Sequence, residues 1–305
     1  MNSEQWTVGV GWTGRVGGAG GVVGWGGEAM ASEQQQPAQQ RRPLAAVLEE
    51  CAPMLVAYSG GVDSAYLAYA ARQAAPGGVL ALIADSPSLP RSALAAALAF
   101  AAAHDIPCET LATQELDNPE YRRNDPNRCY FCKDELFGRM AEELRRRPGF
   151  RTLVYGVNAD DQLDFRPGHR AADAHGVRAP LLEAGLGKAE IRARAKAAGL
   201  AVWDRPASAC LASRVAYGTE VTAEVLARIE RGEEALYGLG FRQVRVRYHQ
   251  EIVRLEIARA ELPRALDLAM ADRLVEIFKA LGFRYVTLDL QGYRSGSLNE
   301  ILPVL

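Results

Sequence analysis

The stretch Met54-Leu-Val-Ala-Tyr-Ser-Gly-Gly-Val-Asp-Ser-Ala65 constrains this chain more than any other. Met54–Tyr58 is a short unbroken apolar run, the pattern of a strand buried on both faces of a parallel sheet. Ser59, Gly60 and Gly61 follow as a turn whose backbone can approach an anion with no Cβ in the way. Asp63 and Ser64 then open an apolar-periodic segment, residues 65–73, that predicts a helix. The N–H groups of the turn and of the first helical turn point at one spot and add the positive end of the helix dipole. Such a strand–turn–helix unit is a phosphate cradle. It is not the Walker type, because no Gly-Lys-Ser/Thr follows.

Around this unit the pattern is regular. A helix is expected over residues 44–51, and apolar strands over 79–84, 106–110 and 153–157. Helices are expected over 91–104, 134–146 and 188–198, the last closed by Gly199. Strands alternating with helices give a parallel sheet covered on both faces, and ligands of such sheets lie beyond the carboxyl ends of the strands. Three of those ends carry polar clusters: residues 59–64, 85–88 and 158–161. Asp85 and Ser86 would lie beside the nucleoside of a bound nucleotide, or they serve as turn chemistry before Pro87. Lys188 and Arg192 are further candidate phosphate contacts.

After Pro206 the composition changes. A helix over 220–237, a strand pair over 243–248 and Ile252–Ile257, a helix over 262–281 and a strand over 285–290 predict a smaller α+β domain. The expected organisation is a phosphate-binding α/β domain over 43–206 and a C-terminal domain over 207–305. Before both lies a Gly/Gln-rich tail, residues 1–42, where ten of the 29 glycines precede Met30. That tail lacks a core-forming period and is expected to be disordered, with Met30 as an alternative start.

At 305 residues and 49% hydrophobic content the chain can bury a real core. Its net charge of −2 argues against a nucleic-acid partner. No apolar run approaches the roughly 18 residues that span a bilayer. Five cysteines at irregular spacing do not make a secreted disulfide framework, so a cytoplasmic location is expected.

Cys129 and Cys132 form a C-x-x-C pair, which alone is open to redox, zinc and iron–sulfur readings. A closed zinc site needs four ligands, and no second pair is present. Cys210, in Ala209-Cys-Leu-Ala-Ser-Arg214, is the third candidate. Three cysteines can hold three irons of a [4Fe-4S] cube and leave the fourth open. Cys51 and Cys108 lie in apolar contexts and are expected to be inert. Arg245 and Arg247 are two apart on an expected strand and so share a face, with Glu256 on the neighbouring strand.

The Ser-Gly-Gly-Val-Asp-Ser loop resembles that of the PP-loop ATP pyrophosphatases, whose Rossmann-like sheet holds ATP while its α-phosphate is attacked. Taken with Asp85-Ser-Pro-Ser, Arg128-Cys-Tyr-Phe-Cys-Lys133, Gly156-Val-Asn-Ala-Asp-Asp161 and Ala-Cys-Leu-Ala-Ser-Arg214, it is similar to the LarE family. The similarity runs from about Leu44 to the end of the chain. These enzymes insert sulfur in the synthesis of a nickel-pincer cofactor. The resemblance implies ATP and Mg2+ bound through Ser59, Gly60, Gly61, Asp63, Ser64, Asp85, Ser86, Asn158 and Asp161. It implies catalytic roles for Asp63, Cys210, Ser213 and Arg214, and substrate contacts through Arg214, Arg245, Arg247 and Glu256.

One form of the family sacrifices a single cysteine at the position of Cys210. The other binds a [4Fe-4S] cluster through three, here Cys129, Cys132 and Cys210, and the presence of all three favours it. A homo-oligomer, a small nucleotide substrate, a sulfide source and other nickel-pincer proteins are the partners it implies. A tRNA-thiolating enzyme would bring a basic, aromatic-rich face that this chain lacks.

Overall fold

The apolar run at Met54–Tyr58 is β1, and all five of its residues are buried. Alternate side chains enter two different layers. Met54, Val56 and Tyr58 pack into a core with Val79, Ala81 and Ile83 of the next strand, whereas Leu55 and Ala57 join Leu80, Leu82, Leu153, Phe137 and Met140 on the other side. A strand with two apolar faces cannot sit at a solvent edge, so β1 lies inside its sheet. The computed structural model describes residues 41–163, 167–206, 209–294 and 297, so the Gly/Gln-rich tail before Arg41 lies outside the described residues.

The first part runs α1 (Leu44–Cys51), β1, α2 (Val62–Ala74), β2 (Val79–Asp85), α3 (Arg91–Ala103) and β3 (Cys108–Ala112). It continues with α4 (Pro119–Arg122), α5 (Arg128–Arg146), β4 (Thr152–Tyr155), α6 (Pro167–Ala174), α7 (Pro180–Glu183) and α8 (Lys188–Ala197). The four strands are parallel in the order β3-β2-β1-β4. From β1 the chain steps outward through β2 to β3, then returns to the opposite side of β1 as β4. The gap between the carboxyl ends of β1 and β4 is therefore the topological switch point, where sheets of this kind bind ligands.

The second part comprises α9 (Ala223–Gly238), β5 (Val244–His249), β6 (Ile252–Ile257), α10 (Leu262–Ala265), α11 (Leu268–Ala280) and β7 (Tyr285–Leu288). β5 and β6 are an antiparallel hairpin turning at Gln250, and β7 pairs parallel to β6. One face of this sheet meets α9 and α11 through Val244, Val246, Val253, Leu255, Phe278 and Leu226. Tyr121 of α4 and Leu211 belong to the same core, which ties the segment between β3 and α5 to the C-terminal sheet. An α/β parallel sheet followed by a smaller mixed one is the expected fold class.

Several element boundaries differ, α9 beginning at Ala223, β4 ending at Tyr155 and β7 at Leu288. α5 begins at Arg128, not at 134, so Cys129 and Cys132 sit in its first turn. β3 lies two residues later than expected. The helix expected over 262–281 is two helices, because Asp267 is extended and its side chain caps the N–H of Met270.

Candidate functional site

Gly60 has φ +72, and a Cβ there would lie 2.7 Å from that of Ala97, so only glycine fits. The turn is held by hydroxyls. Ser64 Oγ accepts from the N–H of Ser59 at 3.2 Å, contacts Ser59 Oγ at 3.0 Å and donates to Gly61 O at 3.2 Å. Gly61 is the N-cap of α2 without a side-chain hydrogen bond, so the first N–H groups of the helix are left to a ligand or solvent.

Across the switch point, Asn158 Nδ2 donates to Asp63 Oδ2 at 2.9 Å. The carbonyl oxygen of the Asn158 side chain accepts from the N–H groups of Asp160 and Asp161. Asp161 is buried and pairs with Lys188 Nζ at 3.0 Å, while Asp160 accepts from the Lys188 N–H and so caps α8. Burial pushes Asp63 up from the ordinary carboxylate range. Asp161 adds to the shift, and Asn158, Lys188 and Arg192 oppose it. Two carboxylates, Asp63 and Asp161, stand beside the glycine turn. Ser59, Gly60, Gly61, Asp63, Ser64, Asn158 and Asp161 thus share one crevice.

Arg192 does not face it freely, for its guanidinium donates to the carbonyls of Trp203 and Arg205. Arg205 in turn donates to Gly60 O at 3.1 Å, so this pair braces the glycine turn. Asp85 pairs with Arg91 at 2.5 Å, and Arg91 also donates to Ser86 O and Leu89 O. Ser86 Oγ accepts from the N–H of Ser88. Asp85 and Ser86 therefore shape their own loop at the mouth of the crevice.

That loop reaches a second site. Leu211 N donates to Ser88 O at 2.8 Å, and Ser88 Oγ meets the Tyr121 hydroxyl at 2.6 Å. Cys210 is consequently drawn toward the carboxyl end of β2. The buried Arg128 donates to Ala212 O and to Asn124 Oδ1, and Asn124 Nδ2 donates to the carbonyls of Val215, Ala216 and Thr219. Burial alone would lower the Arg128 pKa, but Cys210 and Cys129 beside it raise it on balance. Cys132 is pushed up to about 12, by burial first, then by Cys210 and Glu115, with Cys129 a lesser contributor. Cys132 and Cys210 thus lie on one partly buried patch with Tyr121, Phe131 and Leu116, and the exposed Cys129 stands three residues before Cys132 in the first turn of α5.

Among the described residues, no three His, Cys, Asp or Glu side chains gather closely enough to hold a single metal ion. A closed zinc-type site does not fit. The donors here are soft: Cys132 and Cys210 share an apolar-walled patch and Cys129 lies one helical turn from Cys132, the ligand type that iron–sulfur clusters take.

Arg214 is 1% exposed, and its fork is committed. It pairs bidentately with Glu233 at 3.0 and 3.2 Å, and its remaining nitrogen donates to the carbonyls of Ala209 and Cys210. Ser213 Oγ also donates to Cys210 O, at 2.7 Å. Both residues therefore position Cys210 rather than project into open space. From the second sheet, Arg247 donates to Ser213 O at 3.0 Å, to Glu256 at 2.8 Å and to Ser297. Glu256 is fully buried and also receives Arg254. Arg247 Nε, Arg254 Nε and His249 Nε2 are buried with no hydrogen-bond partner among the described residues. Arg245 lies on the same face, its guanidinium 5.0 Å from the Tyr293 ring, and burial lowers its pKa. His249 is also lowered, by burial and by the arginines around it. This face is rich in donors for an anion.

Sequence reasoning missed Tyr121, Arg128, Glu115 and Glu233 as parts of the site. Asn124, just before Asp125-Pro126, carried the one readable signal, since Asn tolerates the left-handed backbone it adopts (φ 58).

No family model matches the chain. It is 43% identical over 248 residues to an uncharacterized protein of Synechocystis sp., covering 81% of this chain and 92% of the relative. It is 33% identical over 266 residues to the pyridinium-3,5-bisthiocarboxylic acid mononucleotide synthase of Lactiplantibacillus plantarum, covering 87% and 95%. An uncharacterized protein of Methanocaldococcus jannaschii is 27% identical over 242 residues, covering 79% and 91%.

Proposed function

Because the chain belongs to the LarE family, we propose that it is an ATP-dependent sulfurtransferase of nickel-pincer cofactor synthesis. Its substrate is pyridinium-3,5-biscarboxylic acid mononucleotide, and its product carries a thiocarboxylate. The observation that carries this reading is the meeting of the crevice and the thiol patch through one loop, where Ser88 holds both Leu211 N and the Tyr121 hydroxyl.

ATP with Mg2+ lies in the crevice, its phosphates on the glycine turn and the N-terminus of α2. Asp63 and Asp161 would hold the metal ion. A substrate carboxylate oxygen attacks the α-phosphorus, and pyrophosphate leaves with the electron pair of the broken P–O bond. Sulfur then attacks the acyl carbon, and AMP departs with the pair of the acyl C–O bond. Arg214 and Ser213 hold the Cys210 segment in place for this step. Arg245, Arg247 and Glu256 offer the far end of the site to the substrate phosphate and a cation. Cys129, Cys132 and Cys210 would hold a [4Fe-4S] cluster, which supplies sulfur from outside the chain so that no cysteine is consumed.

The test uses anaerobically purified protein with substrate, ATP and sulfide. AMP and pyrophosphate should be released, and Cys129→Ala, Cys132→Ala and Cys210→Ala should each remove most of the iron and the turnover together. ADP and inorganic phosphate as main products would reject the ATP chemistry. A loss of about 34 Da at Cys210 in the wild type, the mass of hydrogen sulfide, would replace the cluster by a sacrificial cysteine.

A further inference from the structure

Glu115 has no role in the reading above, and its placement is costly. It is 3% exposed, and its Oε1 is buried without a hydrogen-bond partner. No ion pair reaches it among the described residues. A carboxylate left alone in the interior is strongly disfavoured unless a proton or a cation joins it.

The fold holds this residue beside the thiol patch. It opens a 3-10 turn, Glu115–Asp117, and the preceding Gln114 is clamped to α5 at both ends. Gln114 N donates to Glu135 Oε1 at 3.0 Å, and Gln114 Oε1 accepts from Arg139 at 2.5 Å. Glu135 lies one helical turn past Cys132, so the clamp fixes residue 115 against the start of α5. The following Leu116 packs on the same core as Cys132 and Cys210. Glu115 lies close enough to Cys132 and Tyr121 for its side chain to act on both through space. The cations nearby are otherwise engaged. Lys133 lies over the Phe137 ring, and Arg128 holds Asn124 and Ala212 O.

We propose that Glu115 is the oxygen ligand at the corner that the three cysteines leave open, holding that place until sulfide arrives. This rests on the cluster reading of the thiol patch. A carboxylate is a hard donor and the weakest partner in a set of soft thiolates, so hydrosulfide displaces it readily. The exchange is redox-neutral. The bond from the carboxylate oxygen to iron breaks with its electron pair returning to oxygen, and a sulfur lone pair takes the vacated position. The buried oxygen thus has a partner at rest, which it yields to the incoming sulfur.

The test compares wild type with Glu115→Gln, which keeps the volume of the side chain but is a poor iron ligand. Both are reconstituted anaerobically as the full chain, then examined for iron content, for EPR after mild oxidation and by titration with sodium sulfide. The variant should shed its open-corner iron, giving the signal of a three-iron cluster under conditions where wild type keeps four. In its four-iron form, it should bind sulfide about tenfold more tightly, the internal competitor being gone. If Glu115→Gln does not fold, Glu115→Asp withdraws the oxygen while keeping the charge and should shed the same iron. Indistinguishable EPR and sulfide affinity would overturn the inference while leaving the cluster reading intact. Wild type that takes up no iron would overturn the cluster reading, and the inference with it.

Discussion

Gly156 stands where β4 passes the start of α2, and replacing it by alanine tests whether that close approach sets the crevice. A Cβ at this position would lie 2.8 Å from both N and Cα of Ser64 and 3.1 Å from the carbonyl carbon of Asp63. Comfortable carbon contacts are roughly 3.5–4.0 Å, so the overlap is about 0.7 Å. All three atoms are backbone, and no rotamer change can relieve them. Either the end of β4 or the first turn of α2 must move, and both movements pull on the 2.9 Å bond between Asn158 and Asp63. Overpacking of this kind costs about 1–3 kcal/mol, and the melting temperature should fall by roughly 2–4 °C for each kcal/mol. Misplacing the cradle by a comparable distance should lower turnover by up to about 10²-fold. Gly77→Ala is the control, because Gly77 has φ +83 but nothing within 4 Å of a new Cβ. It should lose about 1–2 kcal/mol to left-handed backbone strain alone and keep its ATP chemistry. Urea unfolding and ATP-dependent pyrophosphate exchange separate the two effects. A Gly156→Ala protein with the exchange rate of Gly77→Ala would refute the idea that this contact shapes the cradle.

Asp63 makes a pH prediction with a definite sign. Its folded pKa is raised from 3.8, so the folded state keeps the proton longer and stability falls as pH climbs through that interval. Asp63→Asn should therefore be more stable than wild type at neutral pH, no more stable at acid pH, and inactive in pyrophosphate release; equal stability curves would contradict the burial argument. Glu233→Gln strips the charge partner from Arg214, whose side chain is 2% exposed, and should cost about 3–5 kcal/mol in urea unfolding. A loss below about 1 kcal/mol, as for exposed pairs, would show that Arg214 is not held by that pair.

The central strand and its glycine turn were legible because burial on both faces leaves an unbroken apolar run and the turn admits only small residues. β3 was placed two residues early because it is an edge strand of mixed exposure, with no clean alternation to fix its ends. The break between α10 and α11 was hidden for a different reason. Leu266 and Leu268 continue the apolar period across Asp267, yet they are 55% and 81% exposed. Periodicity reports apolar residues, not where they point, and here two of them lie on the surface. The C-x-x-C pair reads alike before a helix or inside its first turn, and the i, i+3 spacing places both cysteines on one face in the structure.

Partners distant in sequence were the part that residue patterns could not supply. Arg214 reads as an anion clamp because its fork suits phosphate, but Glu233 on α9 occupies that fork and turns it into a brace for Cys210. Arg245 and Arg247 were placed on one face by the two-residue period, yet the register sets Arg247 opposite Arg254 and leaves Glu256 to serve both guanidinium groups. Three buried nitrogens on that face, from Arg247, His249 and Arg254, have no partner among the described residues. The crevice at the first sheet has the opposite imbalance, with Asp63 and Asp161 beside the ammonium of Lys188. One end of the site therefore favours a cation and the other an anion. Under the proposed function, a substrate bearing a phosphate and a carboxylate would place the phosphate toward the arginines and the carboxylate toward the crevice. The thiol patch, tied to both sheets through Ser88 and Ser213, lies between the two along the chain's own hydrogen bonds.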